Sequence, residues 1–186
     1  MIMMRARAIL AVLALVGAGV ASGCDHPTPA ATASSTPTAE SLAARVKSME
    51  DLIPSQSHMM ADVGDHFANL WFAGKAENWP LADFYLGETR NHLRWAVRRI
   101  PIRKDLRGND VNLVNILDAF EKSQLAQLKR SIESKDRAAF ESIYKETMTA
   151  CYSCHKAADK PYLRPHVPVE PPSKMINFDP QAKWPL

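Results

Sequence analysis

Prolines and glycines cut the middle of this chain into lengths that suit helices and little else. Pro54 and Gly74 bracket one stretch of about twenty residues, Pro80 and Pro101 a second, and Gly108 opens a third. Within these stretches apolar residues recur near the 3.6-residue period, and strand-like alternation is almost absent. The first helix begins after Pro54 with Ser55 as N-cap and runs to about Ala73. Its core stripe is Met60, Val63, Phe67 and Leu70, spaced i, i+3, i+7, i+10. The second opens at Pro80, a good first-turn residue, and stops before Pro101, stacking Leu86, Leu93, Val97 and Ile100. The third starts after Gly108 with Asn109 or Asp110 as cap and carries Leu113, Leu117, Phe120 and Leu128. The fourth begins near Asp136 and carries Phe140, Ile143 and Thr147, bringing Cys151 and Cys154 onto the same face. A weaker stretch, Ser41 to Leu52, precedes them. Four amphipathic helices of roughly 20 residues with short loops predict an all-α, antiparallel four-helix bundle over residues 41–160.

The two ends read differently. Arg5 and Arg7 precede an apolar run from Ala8 to Val20, the layout of a secretory signal peptide over residues 1–23, and too short to span a bilayer comfortably. Ala21, Ser22 and Gly23 lead to Cys24, which resembles a bacterial lipoprotein processing site. Lipidated Cys24 would then tether the chain to a membrane, and Asp25 resembles an inner-membrane retention signal. Ordinary cleavage after Ala21 would instead leave Cys24 a free thiol. Residues 24–40 are rich in Pro, Thr, Ala and Ser and predict a flexible linker. Residues 161–186 hold seven of the thirteen prolines and predict an extended tail, since Pro cannot continue a helix or donate to a ladder. The formal charge of +3 falls to +1 once Arg5 and Arg7 are removed, which gives no case for nucleic-acid binding.

Late in the fourth helix the chain reads Cys151-Tyr152-Ser153-Cys154-His155. C-x-x-C-H is the attachment signature of c-type haem: two thiols bond the two vinyl groups of one porphyrin, and the adjoining imidazole ligates the iron. One covalent haem c is therefore the expected cofactor, with Cys151 and Cys154 holding it and His155 as the proximal metal ligand. A zinc site would need a fourth donor, for which His166 is available, but adjacent Cys154 and His155 suit a tetrahedral site poorly. A thioredoxin-like dithiol belongs near a βαβ pattern, which is missing here.

A four-helix domain with C-x-x-C-H late in its last helix resembles the class II c-type cytochromes, that is, cytochrome c′ and its low-spin, methionine-ligated relatives. The resemblance covers residues 41–160, and its specific motif is Cys151 to His155 alone. Class I cytochromes carry the motif near the mature N-terminus with a methionine ligand downstream, which is not the order here. The resemblance implies a periplasmic monohaem electron carrier, not an enzyme, served by periplasmic or membrane redox proteins. Bundles of this kind also pair through exposed apolar faces, so a homodimer is compatible with it. The alternative is a five-coordinate haem protein that binds NO or CO. A small peroxidase would need His58 or His66 as distal acid–base group.

In an antiparallel bundle His155, at the end of the last helix, faces the first turns of the helix after Pro54. Seven residues further along that helix would be displaced by about 10 Å, so His58, Met59 and Met60 are in reach and His66 is too deep. Met60 lies on the inward stripe and is the candidate sixth ligand; Met59 and His58 point away by about 100° and 200°. Met60 packing on the porphyrin of an open iron is the bland alternative. Val63, Phe67, Tyr144 and Met148 are expected haem neighbours, and His66 and His92 ordinary helix residues. Arg90, Arg94 and Arg98 begin a basic stretch continued by Arg99, Arg103, Lys104 and Arg107. It is a docking patch, a partner for a haem propionate, or simply a solvated face.

Overall fold

A computed structural model of the chain describes residues 37–184. The signal-peptide-like run and the proposed lipidation at Cys24 lie outside the described residues. The described residues divide into two units, with the boundary between Ala44 and Arg45. Helix α1, Ala39–Leu52, opens in the first unit, two residues earlier than the sequence pattern suggests. Thr38 starts it: its hydroxyl oxygen accepts a hydrogen bond from the Ser41 backbone N–H at 3.2 Å. No residue of α1 is buried.

The second unit is dominated by helices. Helix α2 spans Gln56–Lys75, with Ser55 as N-cap, and α3 spans Trp79–Arg99, with Asn78 as N-cap and Pro80 in the first turn. Each cap satisfies a backbone N–H that the helix itself leaves without a partner. A short antiparallel hairpin follows, β1 Ile102–Lys104 and β2 Asp110–Asn112, with Arg103 opposite Val111. The hairpin corrects the sequence reading of the third helix. Asp110 belongs to β2, Asn109 precedes it in the turn, and the cap of α4 (Leu113–Phe120) is Asn112, which accepts from Asn115 N–H at 3.0 Å. Three-residue strands are too short to show an alternating pattern. At Gly108, φ of 82° closes the hairpin loop in the left-handed region that favours glycine.

From Leu113 to Glu133 the backbone stays helical but not uniform. A π-helical turn at Glu121–Leu125 joins α4 to α5, Ala126–Glu133. The last helix, α6, spans Arg137–Ala157, and Asp136 caps it through Ala139 N–H at 2.9 Å. Its C-terminus closes with Asp159 at φ 58° and a hydrogen bond from Lys160 N–H to the His155 carbonyl at 2.7 Å, the wrap-around closure that ends many helices.

Helix α2 packs on α3 and α6, α3 on α4 and α5, and α5 on α6. Leu70, Leu86, Leu125, Leu128, Phe140 and Tyr144 are all but inaccessible at the centre. Burying each such side chain stabilises the fold by about 1.5–3 kcal/mol. Phe67 stacks on Tyr144 with ring centroids 4.3 Å apart, and the Tyr144 hydroxyl donates to the Phe67 carbonyl at 2.9 Å. Residues 161–184 form turns and bends without helix or strand. Val167 and Phe178 nonetheless pack on the core, and the Asn78 side-chain amide donates to the Phe178 carbonyl at 3.2 Å. No helix among the described residues is long and apolar enough to cross a membrane.

Candidate functional site

The α6 stripe that buries Phe140, Tyr144 and Thr147 continues one more turn into Cys151, Cys154 and His155. At that level it leaves the close-packed core and opens on a cavity of about 1170 Å³. That exceeds the roughly 300–1,000 Å³ of ordinary small-molecule pockets. Met60 of α2 lines the same cavity, as do Leu93 of α3 and Leu113 and Phe120 of α4. The four residues singled out by sequence, Met60, Cys151, Cys154 and His155, thus share one cavity.

His155 is the best defined of them. Its Nδ1 lies 2.8 Å from the Leu163 carbonyl oxygen. A carbonyl only accepts, so Nδ1 carries a proton and donates, which leaves Nε2 as the ring nitrogen open to another partner. That is the arrangement in which imidazole serves a metal, the second nitrogen fixing tautomer and ring orientation. Leu163 is itself held in the first turn of the tail. Its N–H donates to the Lys160 carbonyl at 3.0 Å, and the Tyr152 hydroxyl donates to the Pro161 carbonyl at 3.2 Å. A backbone acceptor in a proline-rich segment leaves no mark in the sequence, so this contact was not foreseeable from residue types.

The two thiols are one helical turn apart, half-buried and free. Burial pushes the Cys151 thiol up to about 12, with Cys154 adding to the shift, and burial raises Cys154 as well. A redox dithiol needs a thiolate stabilised by nearby positive charge or a helix N-terminus; these sulfurs sit late in a helix and remain protonated. His166, the spare donor for a zinc site, directs Nδ1 at the neighbouring Val167 carbonyl at 3.0 Å and does not line the cavity.

Other expected neighbours sort differently. Val63 faces the cavity, whereas Phe67, Tyr144 and Met148 lie in the core cluster. His58 is exposed, folded back on its own cap with Nδ1 2.7 Å from the Ser55 hydroxyl, and neither it nor Met59 lines the cavity. Tyr162 lines the cavity mouth, but Phe178 packs against Phe72 and Trp184 is exposed, so only one of the three tail aromatics is at the site. Of the basic stretch, Arg94 is committed to Glu121 through two hydrogen bonds of 2.8 and 3.0 Å. Arg103 lines the cavity, where its guanidinium donates to Gln56 Oε1 and Gln56 Nε2 donates to the Ala96 carbonyl at 2.8 Å. With Lys160 and Arg164 also on the lining, the cavity holds cations suited to carboxylate groups.

The residues fit a c-type haem: paired thiols, an imidazole with one free nitrogen, a thioether, apolar walls and cationic groups. No protein-family model, characterised protein or solved structure matches the chain, so the reading of this cavity rests on its own residues.

Proposed function

We propose that the chain is a monohaem c-type cytochrome of the periplasm, built on a helical bundle and carrying single electrons between redox partner proteins. The observation that carries this reading is the shared cavity of Cys151, Cys154, His155 and Met60, with His155 tied through Nδ1 to Leu163. Cys151 and Cys154 would hold the porphyrin covalently, His155 Nε2 would ligate the iron, and the Met60 thioether would be the second protein ligand. Haem supplies a one-electron couple, whose potential a thioether ligand and an apolar surround raise. The protein's part would be to orient the imidazole through the Leu163 carbonyl, wall the porphyrin with apolar side chains and answer the propionates with a cation of the lining such as Arg103. Lipidated Cys24 would keep this domain at the outer face of the inner membrane.

The test is an absorption spectrum of the haem-loaded protein, oxidised and reduced, with and without CO. Low-spin bands that CO leaves unmoved, converted to a high-spin spectrum by Met60→Ala, are the expected result. A native spectrum that is high-spin and shifts with CO would replace electron transfer by the five-coordinate, NO- or CO-binding reading. Covalent haem retained after Cys151→Ser with Cys154→Ser would refute the attachment itself.

A further inference from the structure

Away from the cavity, α2 and α3 present a second set of donors to each other. Asp62 and His66 are one turn apart on α2, Glu88 and His92 one turn apart on α3, each pair at the i, i+4 spacing that shares a helix face. One donor atom from each of His66, Glu88 and His92 falls within 4.8 Å of the others, and all three residues are half-buried. The two imidazole rings lie 4.7 Å apart, centroid to centroid. None of these residues lines the cavity.

Their hydrogen bonding is incomplete in a particular way. His92 Nδ1 is 3.0 Å from its own helix's Glu88 carbonyl, which can only accept, so Nδ1 carries a proton and donates. His92 Nε2 faces the Asp62 carboxylate at 3.8 Å, too far for a hydrogen bond. His66 Nδ1 is sealed from solvent and has no hydrogen-bond partner among the described residues. A buried polar atom without a partner costs about 1–3 kcal/mol, and among the described residues nothing on the two facing helices meets His66 Nδ1. A shared cation answers it.

We propose that His66, Glu88 and His92 form a binding site for a divalent transition-metal ion of the zinc type, with Asp62 as the fourth ligand. Two imidazoles and two carboxylates suit zinc. Tetrahedral ligands at bond lengths of about 2.1 Å stand roughly 3.4 Å apart, so side-chain rotation of about an ångström closes the cluster. The Nδ1–H of His92 on a backbone carbonyl is the outer-shell support that ligating histidines commonly have. The ion would clamp α2 to α3 about 9 Å along the helix axis from Met60, adding positive charge beside the cavity.

The experiment uses the full haem-loaded protein, stripped with a chelator and titrated with zinc chloride by calorimetry at neutral pH, beside His66→Ala, His92→Ala and Glu88→Gln. A single equivalent is expected in the parent chain, with a rise in Tm, and at least a tenfold loss of affinity in each variant. Saturable binding missing from the parent, or kept at the same affinity in the doubly substituted His66→Ala, His92→Ala chain, overturns the proposal. Zinc-edge X-ray absorption supplies a readout that needs no variant to fold. A nitrogen and oxygen shell with imidazole scattering supports the site, and a shell without imidazole scattering refutes it.

Discussion

Tyr144 shows how much a single side chain does in this core. Its ring stacks on Phe67, approaches Trp71 at 4.8 Å between centroids, and its hydroxyl reaches across to the α2 backbone. Burial raises its pKa well above the usual phenol value, so the group stays a donor. Tyr144→Phe keeps the stack and loses the bond, and the expected cost is about 0.5–1.5 kcal/mol, read from denaturant midpoints at unchanged m-value. Single residues were legible in the sequence where one helix face fixed them. Met60 falls on the stripe through Val63 and Phe67 and does reach the cavity, as do both cysteines. His66 and His92 were not legible as a pair. Their i, i+4 partners are visible along each helix, but only the facing of α2 on α3 brings the imidazoles together.

At the scale of elements, α2 and α6 touch where α2 has no side chain. A Cβ added to Gly74 would stand 2.2 Å from the Phe140 ring, which is fully buried and has nowhere to go. Alanine ordinarily stabilises a helix interior by about 0.5–1 kcal/mol over glycine, yet overpacking costs about 1–3 kcal/mol. Gly74→Ala is therefore expected to lower stability, with a fall in Tm of several degrees, whereas the same change at Gly64, where nothing crowds the added carbon, raises it. The α2–α6 junction is also pinned by charge. Arg137 first, then Lys75, hold the Glu141 carboxyl below the usual range. A carboxyl depressed in the folded state contributes above its unfolded pKa and loses that contribution as pH falls. Glu141→Gln should cost up to about 1 kcal/mol at pH 7, and parent and variant melting temperatures should converge below about pH 4.3, the ordinary glutamate value. The sequence marked a helix start well where cap and breaker stood together, as at Ser55 after Pro54. It missed the hairpin because three-residue strands leave no period to detect.

For the molecule as a whole, the proline-rich end is a working part. It supplies the Leu163 carbonyl to His155 and packs Val167 and Phe178 on the core. Removing everything beyond Asp179 should leave the melt within about 2 °C. Removing everything beyond Lys160 should lower Tm by roughly 5–10 °C, as expected for losing about 2–3 kcal/mol in a chain of this size. A smaller shift would mean that these contacts are not held in solution. Composition predicted the absence of helix there but could not say where the segment attaches, because its contacts run through backbone carbonyls.

The π-helical turn at Glu121–Leu125 bears on how this chain can change length. From Phe120, which faces the cavity, to Leu125, which faces the core, is five residues where an α-helix would step three or four. One surplus residue has been taken up as a local bulge, and the apolar faces before and after it stay in phase. A shorter ancestor or descendant, one residue poorer at Lys122, would run as plain α-helix with the same two faces. The wall of the cavity can thus gain or lose a residue without rotating the core beneath it, a freedom that α2 and α6, regular throughout, do not have.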